Sequence, residues 1–431
     1  MKKLTIIAVL FALVAMAGLA QVKCHVEGTL ETDAWGDEII ICEAGTDIRV
    51  VDEPRFHVKA KEGRFSYDIE TDFPRRYEVF FLKQQQTGRW FKGMFIAENC
   101  NVNVTMYEDK PIRVVSSGEE GRKYAVRDSI EDMRFWKPVE EIDNLLEDPD
   151  RMAEFYNADF ISTVAKLRTM DVESQPKAYV DSVRQVYDHY MRNEREQYTA
   201  QGWQLSQQRD SITNGLRLFR VAYAEEHPML WTLYDVLGAL QELKDADSNV
   251  NIDRSQWEPY LTLYHDKFIN YYPCHPIHEQ IATAETAYRL QPGKPYIDYT
   301  VRNTDGQLVP ISILMKGKVA LIDLWASWCG PCRRHSIAMI PVYERYKDKG
   351  FTVIAIARER SREAMENAAK KDGYPWPSLL EQNDENHVWR KNGAGNAGGA
   401  MYLIDRDGTI LSTSTDAEEL EPLIKKALNI E

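Results

Sequence analysis

Two cysteines three residues apart, Cys329 and Cys332, stand in the stretch LIDLWASWCGPCRRH, which runs from Leu321 to His335. Two chemistries use that spacing: a zinc half-site, in which both thiolates bind one metal, and a redox dithiol, in which they close into a disulfide and reopen. An acidic residue, Asp323, lies inside the apolar run that precedes them, among Val319, Ala320, Leu321, Ile322 and Leu324. A carboxyl desolvated in this way has a raised pKa and can take a proton from a thiol. The competing reading is an Asp on the solvated face of an edge strand, which the apolar neighbours on both sides disfavour.

A second group of metal-ligating types lies in YYPCHPIHEQ, with Cys274, His275 and His278, and His265 one segment earlier. Pro273 and Pro276 interrupt that backbone and no second close ligand pair accompanies it. A structural role is therefore expected, with no metal site. The same shortage weakens zinc at Cys329 and Cys332, since a closed site needs four ligands and Cys274 is isolated.

The elements that must hold the dithiol follow from the pattern around it. Val319 to Trp325 reads as a buried strand and Cys329 to Tyr346 as a helix, so Cys329 falls at a helix N-terminus. Unpaired N–H groups and the macrodipole there favour thiolate over thiol. Cys329 is thus the expected nucleophile. Cys332, one turn further in and expected to be the less exposed, suits the resolving thiol. Pro331 is tolerated in a first helical turn. Around this pair, Tyr299 to Ile313 reads as a hairpin across Thr304-Asp305-Gly306. Phe351 to Ala357 and Met401 to Asp405 read as strands, and segments from about Ser361 and from Ala417 as helices. Strands alternating with helices imply an α/β sandwich.

DLWASWCGPC, with this order of elements, resembles the active site of the thioredoxin superfamily. The hairpin before the strand, the phrase YLIDRDGTIL and the N-terminal leader are similar to the exported TlpA-like branch. The resemblance implies a dithiol of Cys329 and Cys332, Asp323 as the family's buried aspartate, and Gly330-Pro331 as the dipeptide of reducing thioredoxins, whose potential is about −270 mV. Trp325 and Trp328 would shield the site, or simply pack. No cofactor is implied.

Three positions depart from the family pattern. Gly399 stands where a cis-proline loop usually faces the dithiol. The expectation is a looser loop and an open flank beside the sulfurs, which Gly399→Pro would close with a gain in stability. Ile337 replaces the usual helix proline, with Pro341 one turn later. His335 stands where an acidic residue is frequent; it would relay protons to Cys332 or be an exposed helix residue. A peroxiredoxin-like reading would want Thr three residues before the reactive cysteine, where Ala326 stands.

The rest of the chain divides in sequence. Residues 1–20 open with Lys2 and Lys3, continue without charge, and offer Gly18 and Ala20 as a processing site, the pattern of a cleaved signal peptide; an uncleaved anchor is the alternative. Alternation at Phe65, Tyr67 and Ile69, at Tyr77, Val79 and Phe81, and at Val102, Val104 and Met106 marks residues 21–116 as an antiparallel β domain. From residue 117 the period becomes helical: Val180, Val183, Tyr187, Tyr190 and Met191 share one face, and so do Leu230, Leu233, Tyr234, Leu237 and Leu240. A helical domain, 117–291, and a thioredoxin-like domain, 292–431, complete a multidomain α+β chain.

With 44% hydrophobic and 28% charged residues the chain is of globular type. Its formal net charge of −14 argues against nucleic acid and anionic lipid as partners, since those draw on Lys and Arg. Six cysteines in 431 residues are too sparse for a structural disulfide framework, and the sequence leaves the pairing of Cys24, Cys42, Cys100 and Cys274 open. The expected protein is periplasmic or otherwise exported. It exchanges disulfides with client proteins and draws electrons from a membrane thiol carrier. The competing expectation is a binding or assembly protein that keeps the fold without the catalysis.

Overall fold

The computed structural model describes residues 22–44, 55–88, 90–171, 174–244, 254–394 and 398–430. The leader expected over residues 1–20 lies outside them. No helix among the described residues is long and apolar enough to cross a membrane. The chain forms two compact units. One takes the chain up to Ile41 together with His57–Thr232, and the other takes Cys42–Phe56 with Leu233–Glu431.

The β domain falls mainly in the first unit. Its strands are β1 (Val22–Leu30), β2 (Glu38–Glu43), β3 (Arg55–Lys59), β4 (Arg64–Thr71), β5 (Arg75–Phe81), β6 (Gly93–Ala97), β7 (Cys100–Met106) and β8 (Arg113–Ser116). They make two four-stranded sheets, ordered β4-β1-β7-β8 and β3-β2-β5-β6. Alternate residues are buried as the period of two requires: in β7, Val102, Val104 and Met106 point inward and Asn101 and Asn103 outward. β1 and β7 pair in parallel. That pairing spans a crossover through the second sheet, which alternation within a strand does not reveal.

Helix Glu119–Glu131 follows directly on β8. The Glu98 carboxylate receives the N–H groups of Glu119 and Gly121 at 3.0 and 3.1 Å and so caps this helix from across the chain. Further along the same helix, buried Glu131 is ion-paired with Arg127 at 3.0 Å and accepts from Arg220 at 2.6 and 2.9 Å. Charge buried in this way holds only because every member is paired. Of the aromatic face expected on helix Lys177–Arg192, Val180, Val183 and Tyr190 are buried, while Met191 is exposed.

The second unit contains the α/β sandwich. Its strands are β9 (Thr300–Arg302), β10 (Leu308–Pro310), β11 (Val319–Trp325), β12 (Phe351–Glu359), β13 (Ser378–Gln382), β14 (Met401–Ile404) and β15 (Ile410–Ser412). The five-stranded sheet is ordered β13-β12-β11-β14-β15, with β11, β12 and β13 mutually parallel and β14 antiparallel to β11. β11 is central, and all seven of its residues are buried. β9 and β10 form the expected hairpin, with Gly306 at φ 79° in the turn. Its second arm is shorter than expected, because Ile311–Met315 is a helical turn that starts after Pro310. Proline fixes φ at a value suited to the residue that opens a helix.

Helices from the middle of the chain belong to this unit as well. Helix Ile277–Arg289 lies against the short helix Val388–Lys391, and Arg390 donates to Glu279 at 2.9 Å. Gly393, at φ 64°, passes so close that a Cβ there would stand 2.4 Å from Ala287. Only glycine fits such an approach.

Candidate active site

β11 delivers the chain to the site at its C-terminal end, and helix Gly330–Tyr346 leaves from it. Cys329 is the N-cap of that helix, with extended backbone (φ −85°, ψ 90°), and its sulfur accepts from the Cys332 N–H at 3.4 Å. Gly330 and Pro331 occupy the first turn, both exposed. Proline costs nothing there because that N–H would have no helical partner.

The two cysteines form a disulfide. Their exposures are 5% for Cys329 and 8% for Cys332, so the expectation that Cys332 is the better covered does not hold in this oxidised state. The bond leaves neither sulfur as a free thiol. The approach of a client sulfur to Cys329 therefore belongs to the reduced form.

Asp323 is 1% exposed in the middle of β11. Burial pushes its carboxyl up to about 7, opposed by a hydrogen bond from Ser336. That bond is short, 2.7 Å from Ser336 Oγ to Asp323 Oδ2, and the same hydroxyl lies 3.0 Å from the Cys332 carbonyl. A single hydroxyl thus joins the buried acid to the turn that carries the second cysteine. Asp323 Oδ1 is buried without a hydrogen-bond partner. An acid with a pKa near neutral exchanges its proton readily near pH 7, which is the condition for proton transfer there.

Sequence reasoning missed Ser336. The signal was present, because Ser336 follows Cys332 by four and must share its helix face.

Two further residues hold the loop between strand and helix. Glu359, at the end of β12, is buried and accepts the Ser327 N–H. The parallel register pairs Trp325 with Ala357, so Ser327 and Glu359, each two residues on, come opposite one another. Arg333 donates to the Ser327 carbonyl at 3.2 Å and makes a bidentate pair with Asp372 at 2.6 Å for both bonds. Asp372 ends a helix, where the dipole disfavours an anion. The guanidinium more than offsets this and holds its carboxyl below the usual range.

Trp325 is wholly buried, edge-on to Tyr374, and is a core residue. Trp328 is exposed and leans over buried Trp389 at 6.0 Å between centroids, with Arg358 5.4 Å from the Trp389 ring centre. The residue beside Cys329 thus rests on a side chain from the short helix that helix Ile277–Arg289 braces. His335 is partly exposed and has no hydrogen-bond or ion-pair partner. The structure brings Ser336, not His335, to the buried acid.

Gly399 corrects an expectation. Its N–H donates to Cys332 Sγ at 3.3 Å, and a Cβ at this position would fall 1.6 Å from the Leu324 carbonyl oxygen. The flank of the dithiol is therefore closed by backbone. Proline at 399 would both remove the donor and collide with β11, so the expected stabilisation by Gly399→Pro is reversed. No cis peptide occurs among the described residues.

The histidines of the candidate metal cluster are engaged otherwise. His278 bonds Tyr264 Oη at 3.0 Å and the Tyr271 carbonyl at 2.9 Å, while buried His275 accepts from the Ile277 N–H at 3.0 Å. No group able to hold a metal is found among the described residues.

Known proteins match the same part of the chain. The Redoxin family model covers residues 291–428. Thiol-disulfide oxidoreductase ResA of Bacillus thuringiensis is 27% identical over 141 residues, 32% of this chain and 79% of that protein. Protein DipZ of Mycobacterium bovis is 32% identical over 136 residues, 30% of this chain and 19% of its own. The crystal structure of the thioredoxin domain of a thiol-disulfide oxidoreductase from Bacteroides vulgatus aligns at 26% identity, with 32% of this chain, 99% of that one and a TM-score of 0.30.

The C-terminal part of the second unit is a thioredoxin-like domain. Residues 291–428 are thus similar to thiol:disulfide oxidoreductases of the thioredoxin superfamily, and the N-terminal β domain and most of the helical middle region lie outside the match.

Proposed function

We propose that the protein is an exported reductant of protein disulfides, working through the Cys329-Gly330-Pro331-Cys332 dithiol. The observation that carries this reading is the arrangement at one helix end: Cys329 as N-cap, bonded to Cys332, with Asp323 buried behind them and tied to the Cys332 turn by Ser336.

The reaction starts from the reduced pair. The Cys329 thiolate, favoured by the helix N-terminus, attacks one sulfur of a client disulfide, forms a mixed disulfide and expels a client thiolate. The Cys332 thiol passes its proton to the Asp323 carboxylate. The resulting thiolate attacks the Cys329 sulfur, closes the Cys329–Cys332 disulfide and frees the second client thiolate. Two electrons leave the dithiol for the client, and the closed state is the one the structure holds. A membrane thiol carrier outside the cytoplasm then restores the dithiol. The uncharged run from Leu4 to Val22, read as a signal peptide, supports export.

The sequence segments 21–116, 117–291 and 292–431 are proposed as the working parts. The helical segment is shared between the two compact units, since its helices after Thr232 belong with the redox fold. The test is client trapping with Cys332→Ser, in which the mixed disulfide on Cys329 cannot be resolved. Covalent adducts with disulfide-bearing proteins are expected. An untrapped protein, together with reduction rates equal between wild type and Cys329→Ser, would sink the reading.

A further inference from the structure

The parallel pairing of β1 with β7 sets Cys24 directly opposite Cys100, and their sulfurs lie 3.9 Å apart as free thiols. Paired strands run about 4.8 Å apart, inside the roughly 4.4 to 6.8 Å that a disulfide spans between Cα atoms. Small side-chain rotations close the remaining gap. Cys24 is buried, whereas Cys100 is partly exposed. Reagents therefore reach the pair through Cys100.

The surroundings fit a reactive sulfur at Cys100. Ser116 Oγ lies 3.5 Å from it and accepts the Gly118 N–H at 3.1 Å, which leaves its own O–H to donate to the sulfur. The Cys24 thiol, the Ser116 hydroxyl and the Glu98 backbone N–H all favour the anion, and together they hold Cys100 below the usual thiol range against burial and the Glu98 charge. The Glu98 carboxylate is itself engaged by the Glu119 and Gly121 N–H groups. Cys24 moves the opposite way, its thiol pushed up by the Cys100 anion beside it and by burial. One sulfur is thus poised as thiolate and the other as thiol, the arrangement of an attacking and a resolving pair.

We propose that Cys24 and Cys100 form a second redox-active dithiol in the β domain, oxidised by small-molecule disulfides, with Cys100 as the attacking sulfur. The Cys100 thiolate attacks one sulfur of the small disulfide, forms a mixed disulfide and releases one small thiolate. Cys24 gives up its proton to that thiolate, attacks the Cys100 sulfur and releases the second. The balance is two protein thiols and one small disulfide converted to one protein disulfide and two small thiols.

The experiment uses the full chain with Cys329→Ser and Cys332→Ser, leaving Cys24, Cys42, Cys100 and Cys274. It is equilibrated with oxidised and reduced glutathione, quenched by alkylation in denaturant, and mapped by mass spectrometry. Two thiols are expected to disappear together in a Cys24–Cys100 linked peptide and to return with dithiothreitol. Adding Cys24→Ser should leave glutathione held on Cys100. As a control free of substitutions, pulsed alkylation of the unaltered chain should show Cys24 and Cys100 lost with one shared midpoint. The proposal is overturned if all four cysteines stay free under glutathione ratios that fully oxidise Cys329–Cys332 in the unaltered chain. It is overturned equally by a link between other cysteines or by separate midpoints for Cys24 and Cys100.

Discussion

Cys329 and Cys332 meet because three residues of one helix end bring them together, whereas Cys24 and Cys100 meet only because strands far apart in sequence run side by side. The first pair has a helix N-terminus to stabilise the thiolate and a buried acid to take a proton. The second has a neighbouring thiol and a serine hydroxyl instead. On the proposed function, helix dipole and acid at the first pair assist both the attack and the resolving step. Hydrogen bonds alone poise a sulfur without a device for returning the proton, which suits a pair that changes state and stays there.

The largest expected effect follows from that difference. Cys329→Ser should lower the rate of protein-disulfide reduction by on the order of 10³-fold or more, as loss of a nucleophile does elsewhere. Cys100→Ser should change it little. In the reduced wild type, the alkylation midpoint of Cys329 should lie well below the roughly 8.5 of a free cysteine. A reduction rate as sensitive to Cys100 as to Cys329 would erase the distinction between the pairs.

Asp323→Asn comes next. It should slow resolution by on the order of 10²-fold with the initial attack nearly intact, so that mixed disulfide accumulates in single-turnover experiments. Equal slowing of both steps would remove the proton-handling role. The same variant reports on stability. The Asp323 carboxyl titrates about 7 folded and about 3.9 unfolded, so between these pH values the folded state holds a proton that the unfolded state has lost. The contribution of this carboxyl to stability is then full below about pH 4, falls as pH rises to about 7, and is level above, a change on the order of 4 kcal/mol at 1.36 kcal/mol per unit. Asparagine should abolish that slope in urea unfolding of the oxidised protein.

What could be read from sequence was what is local. The apolar run around Asp323, the strand-to-helix switch at Cys329 and the proline in the first turn all fall within fifteen residues, and each follows from the spacing of side chains along one strand or one helix. Ser336 was readable by the same rule. Glu359 and Trp389 were not, because they reach the site through sheet register and through a short helix that only packing places. β13, five residues beginning just after Pro375 and Pro377, has no run long enough to stand out. Cys24 and Cys100 were visible as letters, and their meeting depends on a parallel pairing that no local pattern encodes.

Gly399 tests the first site from its other side. Its N–H meets the Cys332 sulfur while its missing Cβ leaves room for the Leu324 carbonyl. Gly399→Ala should therefore destabilise by about 1 to 3 kcal/mol, the usual range for forcing an atom into a packed site, as read from chemical denaturation. Gly399→Pro should cost at least as much. A stabilised proline variant would restore the idea of an open flank beside the dithiol.

The smallest effects separate two serines that do similar work at the two pairs. Ser336 donates to the Asp323 carboxyl and so lowers its pKa against burial. Ser116 does the same for Cys100 directly. Removing either hydroxyl should raise the pKa of its partner, by up to about one unit for a bond contributing about 1 kcal/mol. In Ser336→Ala the pH midpoint of resolution by Cys332 should move upward, because Asp323 holds its proton to higher pH, while the alkylation midpoint of Cys100 stays in place. In Ser116→Ala the Cys100 midpoint should rise and resolution at Cys332 should keep its profile. Measured side by side in the full chain, the two shifts should not cross over. A Ser116→Ala change that moved the Cys332 profile would mean that the two pairs share a proton equilibrium, which their separate hydrogen-bond networks do not predict.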